Sequence, residues 1–173
     1  MKKTITILLA LIMLLSLAAC GGTAADSTVS TTASAGETNS GTMEVTDLKG
    51  RTVTLPANIE RVVVTFNLEE YLAVTGEAGV DKLVGWSHKY WKGRRDDAYN
   101  AYTKALPAME SIPDVGYNGD ISIEAIISLQ PDVVLASATG ANYNALEPAF
   151  DLLHQAGIEV VFFNFHKQTI ETH

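Results

Sequence analysis

Cysteine is almost absent from this sequence, since Cys20 is the single cysteine among 173 residues. One thiol can form neither an internal disulfide nor a metal site built from several cysteines. Basic residues are also scarce: 12 lysines and arginines stand against 20 acidic residues, which gives a net charge of -8. Such a chain has no basic surface on the scale that nucleic-acid binding requires, so we expect no nucleic-acid partner.

Catalytic motifs are missing as well. No glycine-rich phosphate loop follows an apolar run, and neither a Gly-x-Ser-x-Gly nucleophile motif nor a His-Glu-x-x-His metal motif occurs. The sequence therefore predicts no nucleotide enzyme, serine hydrolase or zinc protease. We expect a protein that is not an enzyme and that holds no resident cofactor or metal.

The first 20 residues have the order of an export signal. Lys2 and Lys3 precede a run in which 13 of the 15 residues from 5 to 19 are apolar. This run is shorter than the ~20 residues that a membrane-spanning helix needs, but it fits a signal-peptide core. Leu17-Ala18-Ala19-Cys20 then resembles the lipobox of bacterial lipoproteins, in which the signal is cut before an acylated cysteine. We expect residues 1–19 to be a lipoprotein signal peptide and Cys20 to be lipidated, anchoring the protein outside the cytoplasm to the bacterial cell membrane.

Residues 20–42 have the composition of a tether. Nineteen of the 22 residues from 21 to 42 are Gly, Ser, Thr, Ala or Asn, and none is aromatic. Such a segment behaves as a flexible coil with a reach of about 25 Å. We expect it to link the lipid anchor to a folded part that spans residues 43–173.

The folded part shows short apolar runs that alternate with helical patterns. Polarity alternates on both sides of Lys49-Gly50, which predicts an N-terminal β-hairpin. Strands that are apolar on both faces are typical of a parallel sheet covered by helices on both sides. The fold class is therefore α/β, a three-layer lobe with a mainly parallel sheet. The predicted strands cover residues 61–66, 82–87, 132–136 and 159–165, and the predicted helices cover residues 67–75, 94–106, 122–129 and 144–156.

Candidate ligand contacts follow the predicted strands, because ligands of such sheets bind at the carboxyl ends of the strands. The segment after the second buried strand is rich in aromatic residues and arginines, which suit a bulky and partly anionic ligand. The alternative for its two tryptophans is packing beneath the loop. The predicted ligand-binding residues are Asn67, Trp86, His88, Tyr90, Arg94, Arg95, Tyr117, Ser137, Asn142, Tyr143 and His166.

The order of several short motifs resembles the periplasmic-binding-protein family of ABC importers for iron-siderophore, haem and cobalamin. The motifs are Gly50-Arg51, Arg61-Val62-Val63, Asp81-Lys82-Leu83-Val84-Gly85, Pro113-Asp114-Val115-Gly116, Glu124, Leu129-Gln130-Pro131-Asp132-Val133-Val134 and Ala156-Gly157-Ile158. The resemblance implies a Rossmann-like N-terminal lobe of a substrate-binding lipoprotein. Its ligand would be a metal chelate of the iron-siderophore type, delivered to an ABC permease. In this family a glutamate at the position of Glu124 docks on the permease.

Several alternatives stay open. The ligand could be haem, held by His88, Met109, Tyr117 or His166, or it could be cobalamin or an oxyanion such as molybdate. Members of the family have two lobes, and only the first is recognisable here, so we expect an N-terminal fragment. A truncated lobe that serves as a surface interaction module is the alternative from a different functional class.

Overall fold

The structure, a computed structural model, describes residues 41–164. The predicted signal peptide, Cys20, nearly all of the predicted tether and His166 lie outside these residues. Within them, strands β1 to β6 span Thr42–Thr46, Thr52–Pro56, Val62–Val64, Leu83–Trp86, Val133–Ser137 and Glu159–Phe163. Helices α1 to α7 span Leu68–Thr75, Ala78–Lys82, His88–Arg94, Asp96–Ala105, Ile123–Leu129, Gly140–Leu146 and Phe150–Gln155. Short 3-10 turns cover Pro107–Ser111, Asn118–Asp120 and Glu147–Ala149.

Strands β1 and β2 form the predicted antiparallel hairpin, with Val45 opposite Val53. Gly50 adopts a φ of 74°, which a residue with a side chain rarely takes, so the turn falls where the sequence predicts it. Asp47 closes this turn through hydrogen bonds to the backbone N–H groups of Lys49 and Arg51, at 2.9 and 3.0 Å. Asp47 thereby holds the two ends of the turn together.

The other four strands of the described residues form one parallel sheet in the order β4-β3-β5-β6. The chain passes from β3 to β4 on one side, and then returns across β3 to place β5 on the other side. The strand order therefore reverses between β3 and β5. In open α/β sheets a reversal of this kind opens a crevice at the carboxyl ends of the two strands.

Apolar side chains cover both faces of the sheet, as the continuous valine runs predict. Val62 and Val64 belong to one buried cluster together with Leu68 of α1 and Tyr99 of α4. Val63 belongs to a second cluster that includes residues of α5, α6 and α7. Neighbouring residues of a strand point to opposite faces, so the two clusters form the two core layers of a three-layer α/β fold. The predicted fold class is confirmed.

The predicted strands and the helices predicted at 67–75, 94–106 and 122–129 are confirmed with small shifts of their ends. Residues 88–93, predicted as a loop, instead belong to helix α3. The helix predicted from Asn144 begins earlier, at Gly140. Its first turn contains Asn142, whose buried side chain is hydrogen-bonded to Thr65 and Asn118 of two other loops. Pro148 lacks a backbone N–H and separates α6 from α7.

No helix within residues 41–164 is long and apolar enough to cross a membrane.

Candidate functional site

The candidate site lies at the carboxyl edge of the parallel sheet. Three segments leave the sheet there, residues 65–67 after β3, residues 87–90 after β4 and residues 137–139 after β5. A fourth segment joins them because Trp86 pairs with Asp114 in an isolated parallel bridge. This bridge brings residues 115–118 alongside the end of β4.

An aromatic cluster of Phe66, Tyr90 and Tyr117 occupies this edge. The rings of Tyr90 and Tyr117 are stacked, with their centroids 3.8 Å apart and their planes inclined by 19°. Phe66 lies 5.5 Å from Tyr117 and 6.3 Å from Tyr90. All three side chains are half-buried, so the cluster offers a partly exposed apolar surface.

The phenol of Tyr117 is held in its neutral form. Burial raises its pKa, and a hydrogen bond with Tyr90 raises it further, while Asn118 and Arg94 act in the opposite direction. A phenolate at this position is therefore disfavoured near neutral pH. Arg94 is exposed and lies one helical turn after Tyr90 on α3.

A buried polar network lies beside the aromatic cluster. The Thr65 hydroxyl donates to Asn142 Oδ1 at 2.6 Å, and Asn142 Nδ2 donates to Asn118 Oδ1 at 2.7 Å. The Ser87 hydroxyl lies 2.5 Å from the Gly116 carbonyl oxygen and is also in contact with the Thr65 carbonyl. These contacts tie the loops after β3 and β4 to residues 116–118 and to α6. Since Asn142 uses both of its amide atoms, it acts as a support for these loops.

A small cavity of about 130 Å³ lies next to the aromatic cluster and shares Phe66 and Tyr90 with it. Asn67 and Trp91, both almost fully buried, line this cavity together with Glu69, Glu70 and Arg95. Arg95 donates to Glu69 at 3.2 Å. The Asn67 side chain caps no N–H of α1.

Several predicted ligand contacts lie elsewhere. Trp86 is fully buried, donates through Nε1 to the Met109 carbonyl at 3.2 Å and stacks on Tyr99. Its prediction as a surface contact is therefore corrected, because burying this large ring beneath α3 and α4 removes it from the edge. Met109 is equally buried, so its side chain is not placed to bind an exposed haem. His88 packs edge-on against Trp86 and faces the Ile112 carbonyl at 3.3 Å.

Two more predicted contacts are engaged by neighbours on the β5 and β6 side. The buried Ser137 hydroxyl pairs with the hydroxyl of Thr139 at 2.8 Å. Tyr143 donates to Glu147 at 2.6 Å, and its ring lies under the Lys49 ammonium at 4.1 Å. Ser137 is thus committed to the turn after β5, and Tyr143 to contacts on α6 and the hairpin.

The sequence did not single out Phe66, Asn118 or Glu70 as site residues. Phe66 ended an apolar run and was counted with the strand, while Asn118 lies in a loop without a recognisable pattern. The predicted permease contact, Glu124, is exposed in the first turn of α5, where the Ser122 side chain caps the helix by accepting from Ala125 N–H at 3.2 Å. Within residues 41–164, no group of three or more His, Cys, Asp or Glu side chains is placed to hold a metal ion.

A model of the periplasmic binding protein family matches residues 64–172, which is more than half of the sequence. The chain belongs to the periplasmic binding protein family. The matched region begins at the last residue of β3 and includes β4 to β6 and every loop of the candidate site, so the site is built from the part that periplasmic binding proteins share.

Solved periplasmic binding proteins have the same fold. A TroA-like periplasmic binding protein from Veillonella parvula, FepB, is 26% identical, with a TM-score of 0.62 over 75% of this chain and 38% of that chain. The molybdate periplasmic binding protein MolA from Haemophilus influenzae is 25% identical, with a TM-score of 0.56 over 75% of this chain and 36% of that chain. CeuE from Helicobacter pylori, at 21% identity and a TM-score of 0.52, covers 72% of this chain and 37% of that chain.

This periplasmic binding protein thus spans a little over a third of the length of each of these structures. No match was found among curated proteins.

Proposed function

We propose that this protein is the substrate-binding lipoprotein component of an ABC importer and that it captures a metal chelate of the iron-siderophore type. It has no catalytic role in this proposal, and it delivers the chelate to a membrane permease. The observation that carries the proposal is the aromatic cluster at the carboxyl edge of the parallel sheet, with the exposed Arg94 one helical turn after Tyr90 on α3.

The chemistry of the cluster supports a bulky, partly anionic ligand. Rings that lie 3.8 to 6.3 Å apart present an apolar surface on which a flat ligand can stack. The net charge of -8 repels an anion in general, so a local cation is needed to attract one. Arg94 is exposed and lies one helical turn after Tyr90, and a guanidinium matches the oxygen atoms of an anionic chelate.

The face of the Tyr117 ring is in stacking contact with Tyr90, with the ring centroids 3.8 Å apart. We therefore assign Tyr117 a stacking role toward a chelate that brings its own metal ligands, and not a role as an axial ligand of haem. A Soret shift on addition of haemin that is lost in Tyr117→Phe would reverse this assignment.

Binding is tested by titrating the protein with ferric catecholate and ferric hydroxamate chelates while its intrinsic fluorescence is recorded. We expect at least one chelate to bind saturably. Tyr117→Ala should weaken binding of that chelate at least tenfold. Tyr117→Phe keeps the ring, so its affinity for the chelate should stay within about threefold of that of the unchanged protein. Equal affinity in the protein and in Tyr117→Ala would contradict the proposal.

The charge contribution has its own matched pair of variants on α3. Arg94→Gln should weaken binding of an anionic chelate several-fold. Lys92→Gln removes an exposed cation of the same helix and should change this affinity little. Equal losses in the two variants would show that only the total charge matters. Failure of every chelate to bind, with retained binding to a permease, would favour the single-lobe interaction module.

The proposed permease contact is Glu124. Its side chain is exposed and makes only a weak contact with Ser122, at 3.4 Å, so the carboxylate is available to a cationic partner surface. Glu124→Gln should leave chelate binding unchanged while reducing co-purification with the permease. The variant would argue against this role if complex formation were unaffected.

We also propose that residues 1–19 are removed on export, that Cys20 carries the lipid and that residues 20–42 tether the folded part outside the cytoplasm. A single acyl chain binds membranes only marginally, so at least two chains are needed for stable anchoring. Cys20→Ala should therefore release the exported protein from the membrane fraction and abolish labelling by a fatty acid. Continued membrane retention of the variant would refute lipidation at this position.

A further inference from the structure

Four buried polar atoms among residues 41–164 have no hydrogen-bond partner, and all four belong to residues that line the cavity next to the aromatic cluster. They are Asn67 Nδ2, Asn67 Oδ1, Glu70 Oε2 and Trp91 Nε1. Asn67 is 2% exposed and Trp91 is 3% exposed, so bulk water does not reach these groups freely. The cavity holds about 130 Å³.

The unpaired atoms are concentrated at this one cavity, whereas the buried polar side chains next to it are hydrogen-bonded. Native proteins pair almost all buried polar atoms, because an unmade hydrogen bond in the interior is costly. The neighbouring buried side chains of Thr65, Ser87 and Asn142 are all hydrogen-bonded, at 2.5 to 2.7 Å for the bonds between Thr65 and Asn142, between Ser87 and Gly116, and between Asn142 and Asn118. The concentration of unpaired atoms at one cavity therefore points to an occupant that completes their hydrogen bonds.

The four atoms define the chemistry of this occupant. Asn67 Nδ2 and Trp91 Nε1 are donors, whereas Asn67 Oδ1 and Glu70 Oε2 are acceptors. An ammonium group only donates, so it would leave both protein donors unpaired. A carboxylate only accepts, and it would also stand against the negative charge of Glu70. The matching group donates two hydrogen bonds and accepts two.

Water meets this requirement, and among organic ligand groups a primary carboxamide also does so, with three heavy atoms. Its NH₂ group can donate to Asn67 Oδ1 and Glu70 Oε2, and its oxygen can accept from Asn67 Nδ2 and Trp91 Nε1. The cavity volume equals roughly four water molecules at about 30 Å³ each, which suits a group of a few heavy atoms. The rings of Phe66 and Tyr90 supply apolar walls for the carbon that carries the amide.

We propose that this cavity is a subsite for a primary carboxamide group of the ligand. As part of ligand capture this rests on the proposed function, because the cavity shares Phe66 and Tyr90 with the aromatic cluster. A ligand stacked on the cluster would extend its amide between Asn67 and Trp91. Glu69 takes no part, since its carboxylate is paired with Arg95 at 3.2 Å.

Acetamide is the probe that tests the subsite. The two tryptophans give two indole N–H signals in the ¹⁵N-labelled protein. We expect acetamide to shift the Trp91 signal saturably at millimolar concentrations, with the signal assigned through Trp91→Phe. The Trp86 signal serves as the internal control, because its N–H is already bonded to the Met109 carbonyl at 3.2 Å. Acetate and methylammonium should not produce a saturable shift.

Variants then assign the shift to the cavity. Asn67→Leu, which keeps the size of the side chain but removes both polar amide atoms, should weaken acetamide binding at least tenfold. Asp97→Asn, which alters an exposed carboxylate of α4 outside the cavity lining, should leave the affinity within twofold.

Three results would overturn the proposal: no shift with acetamide, which means that the cavity holds only water; an equal shift with acetate; or an unchanged shift in Asn67→Leu. The comparison of acetamide with acetate needs no variant, so it stays decisive if Asn67→Leu fails to fold. No metal chelate is present in the acetamide titration. A negative acetamide result would therefore reject the carboxamide subsite without rejecting chelate capture, which the chelate titrations test separately.

Discussion

Replacing Asp47 by Asn should destabilise the fold strongly and in a pH-dependent way. Asp47 Oδ2 accepts from Arg51 Nε at 2.9 Å and from Arg51 Nη2 at 2.6 Å, and the Asp47 side chain is fully buried. The same Arg51 Nη2 donates to the Val160 carbonyl of β6 at 2.6 Å. The carboxylate therefore orients the arginine that links the hairpin to the parallel sheet.

The magnitude follows from the bonds that the variant loses. An Asn can keep Oδ1 as the acceptor for the two turn N–H groups, but it places an NH₂ donor against the Arg51 guanidinium. Two charge-assisted hydrogen bonds are lost, and each contributes about 1.5 to 3 kcal/mol. Arg51 is one-third exposed, so water can solvate part of its charge. We expect Asp47→Asn to lower the free energy of unfolding by about 2 to 4 kcal/mol. Breaking a fully buried ion pair typically costs about 3 to 5 kcal/mol.

The pH dependence comes from the carboxyl of Asp47. Burial alone would raise its pKa, but the hydrogen bonds from the Arg51 side chain, Arg51 N–H and Lys49 N–H, together with the charge of Arg51, lower it below the ordinary value of 3.8. A carboxyl with a depressed folded-state pKa stabilises the fold above its unfolded-state pKa, and this contribution is lost as the pH falls through the folded-state pKa. The stability gap between the protein and Asp47→Asn should thus be constant above about pH 5 and narrow below pH 4.

Urea unfolding at several pH values measures this gap. Glu44→Gln provides the control, because Glu44 is an exposed carboxylate of the same hairpin. We expect a change of less than about 0.5 kcal/mol for the control. Equal stability of Asp47→Asn and the unchanged protein at pH 7, or a gap that does not narrow in acid, would refute the reasoning.

Two other predictions concern the support of the site. Gly116 has a φ of 80°, and a Cβ there would lie 1.9 Å from the Asp120 carbonyl oxygen. Gly116→Ala should therefore lower the free energy of unfolding by at least about 1 to 3 kcal/mol, the cost of holding a residue in a strained backbone conformation. Gly93→Ala, on the open surface of α3, should instead raise the free energy of unfolding by about 0.5 to 1 kcal/mol, and urea unfolding measures both changes. Trp86→Phe should lower the free energy of unfolding by about 0.5 to 1.5 kcal/mol through the lost hydrogen bond to the Met109 carbonyl, which still accepts from Ile112 N–H. Chelate affinity should stay within twofold, and a large loss of affinity with little loss of stability would return Trp86 to the binding surface.

The arrangement of strands and helices was predictable because it is encoded in local patterns. Three consecutive valines at 62–64 require burial on both faces of a strand, and Lys49-Gly50 supplies the positive φ that the hairpin turn needs. Ser122 was predicted at the start of the helix that it caps. Each of these features depends on neighbours within a few residues, so a single sequence contains the necessary information.

The composition of the site was only partly predictable. Tyr90 and Tyr117 were predicted from their places after β4 and in the loop that follows α4, but their stacking at 3.8 Å results from a bridge between Trp86 and Asp114. Phe66 joins them because β3 and β4 are neighbours in the sheet. Such contacts join residues far apart in sequence, and no local pattern specifies them.

The sequence by itself determined the α/β class, the hairpin, the family resemblance and the lipoprotein-like N-terminus as an expectation. Only the tertiary structure decided which aromatic rings face the ligand edge and which fill the core. Trp86 and Tyr90 are four residues apart, yet one is fully buried and the other is half-exposed. The difference arises because α3 starts between them and turns their side chains toward different neighbours. Burial of a side chain is set by what packs over it, and that is a property of the whole fold.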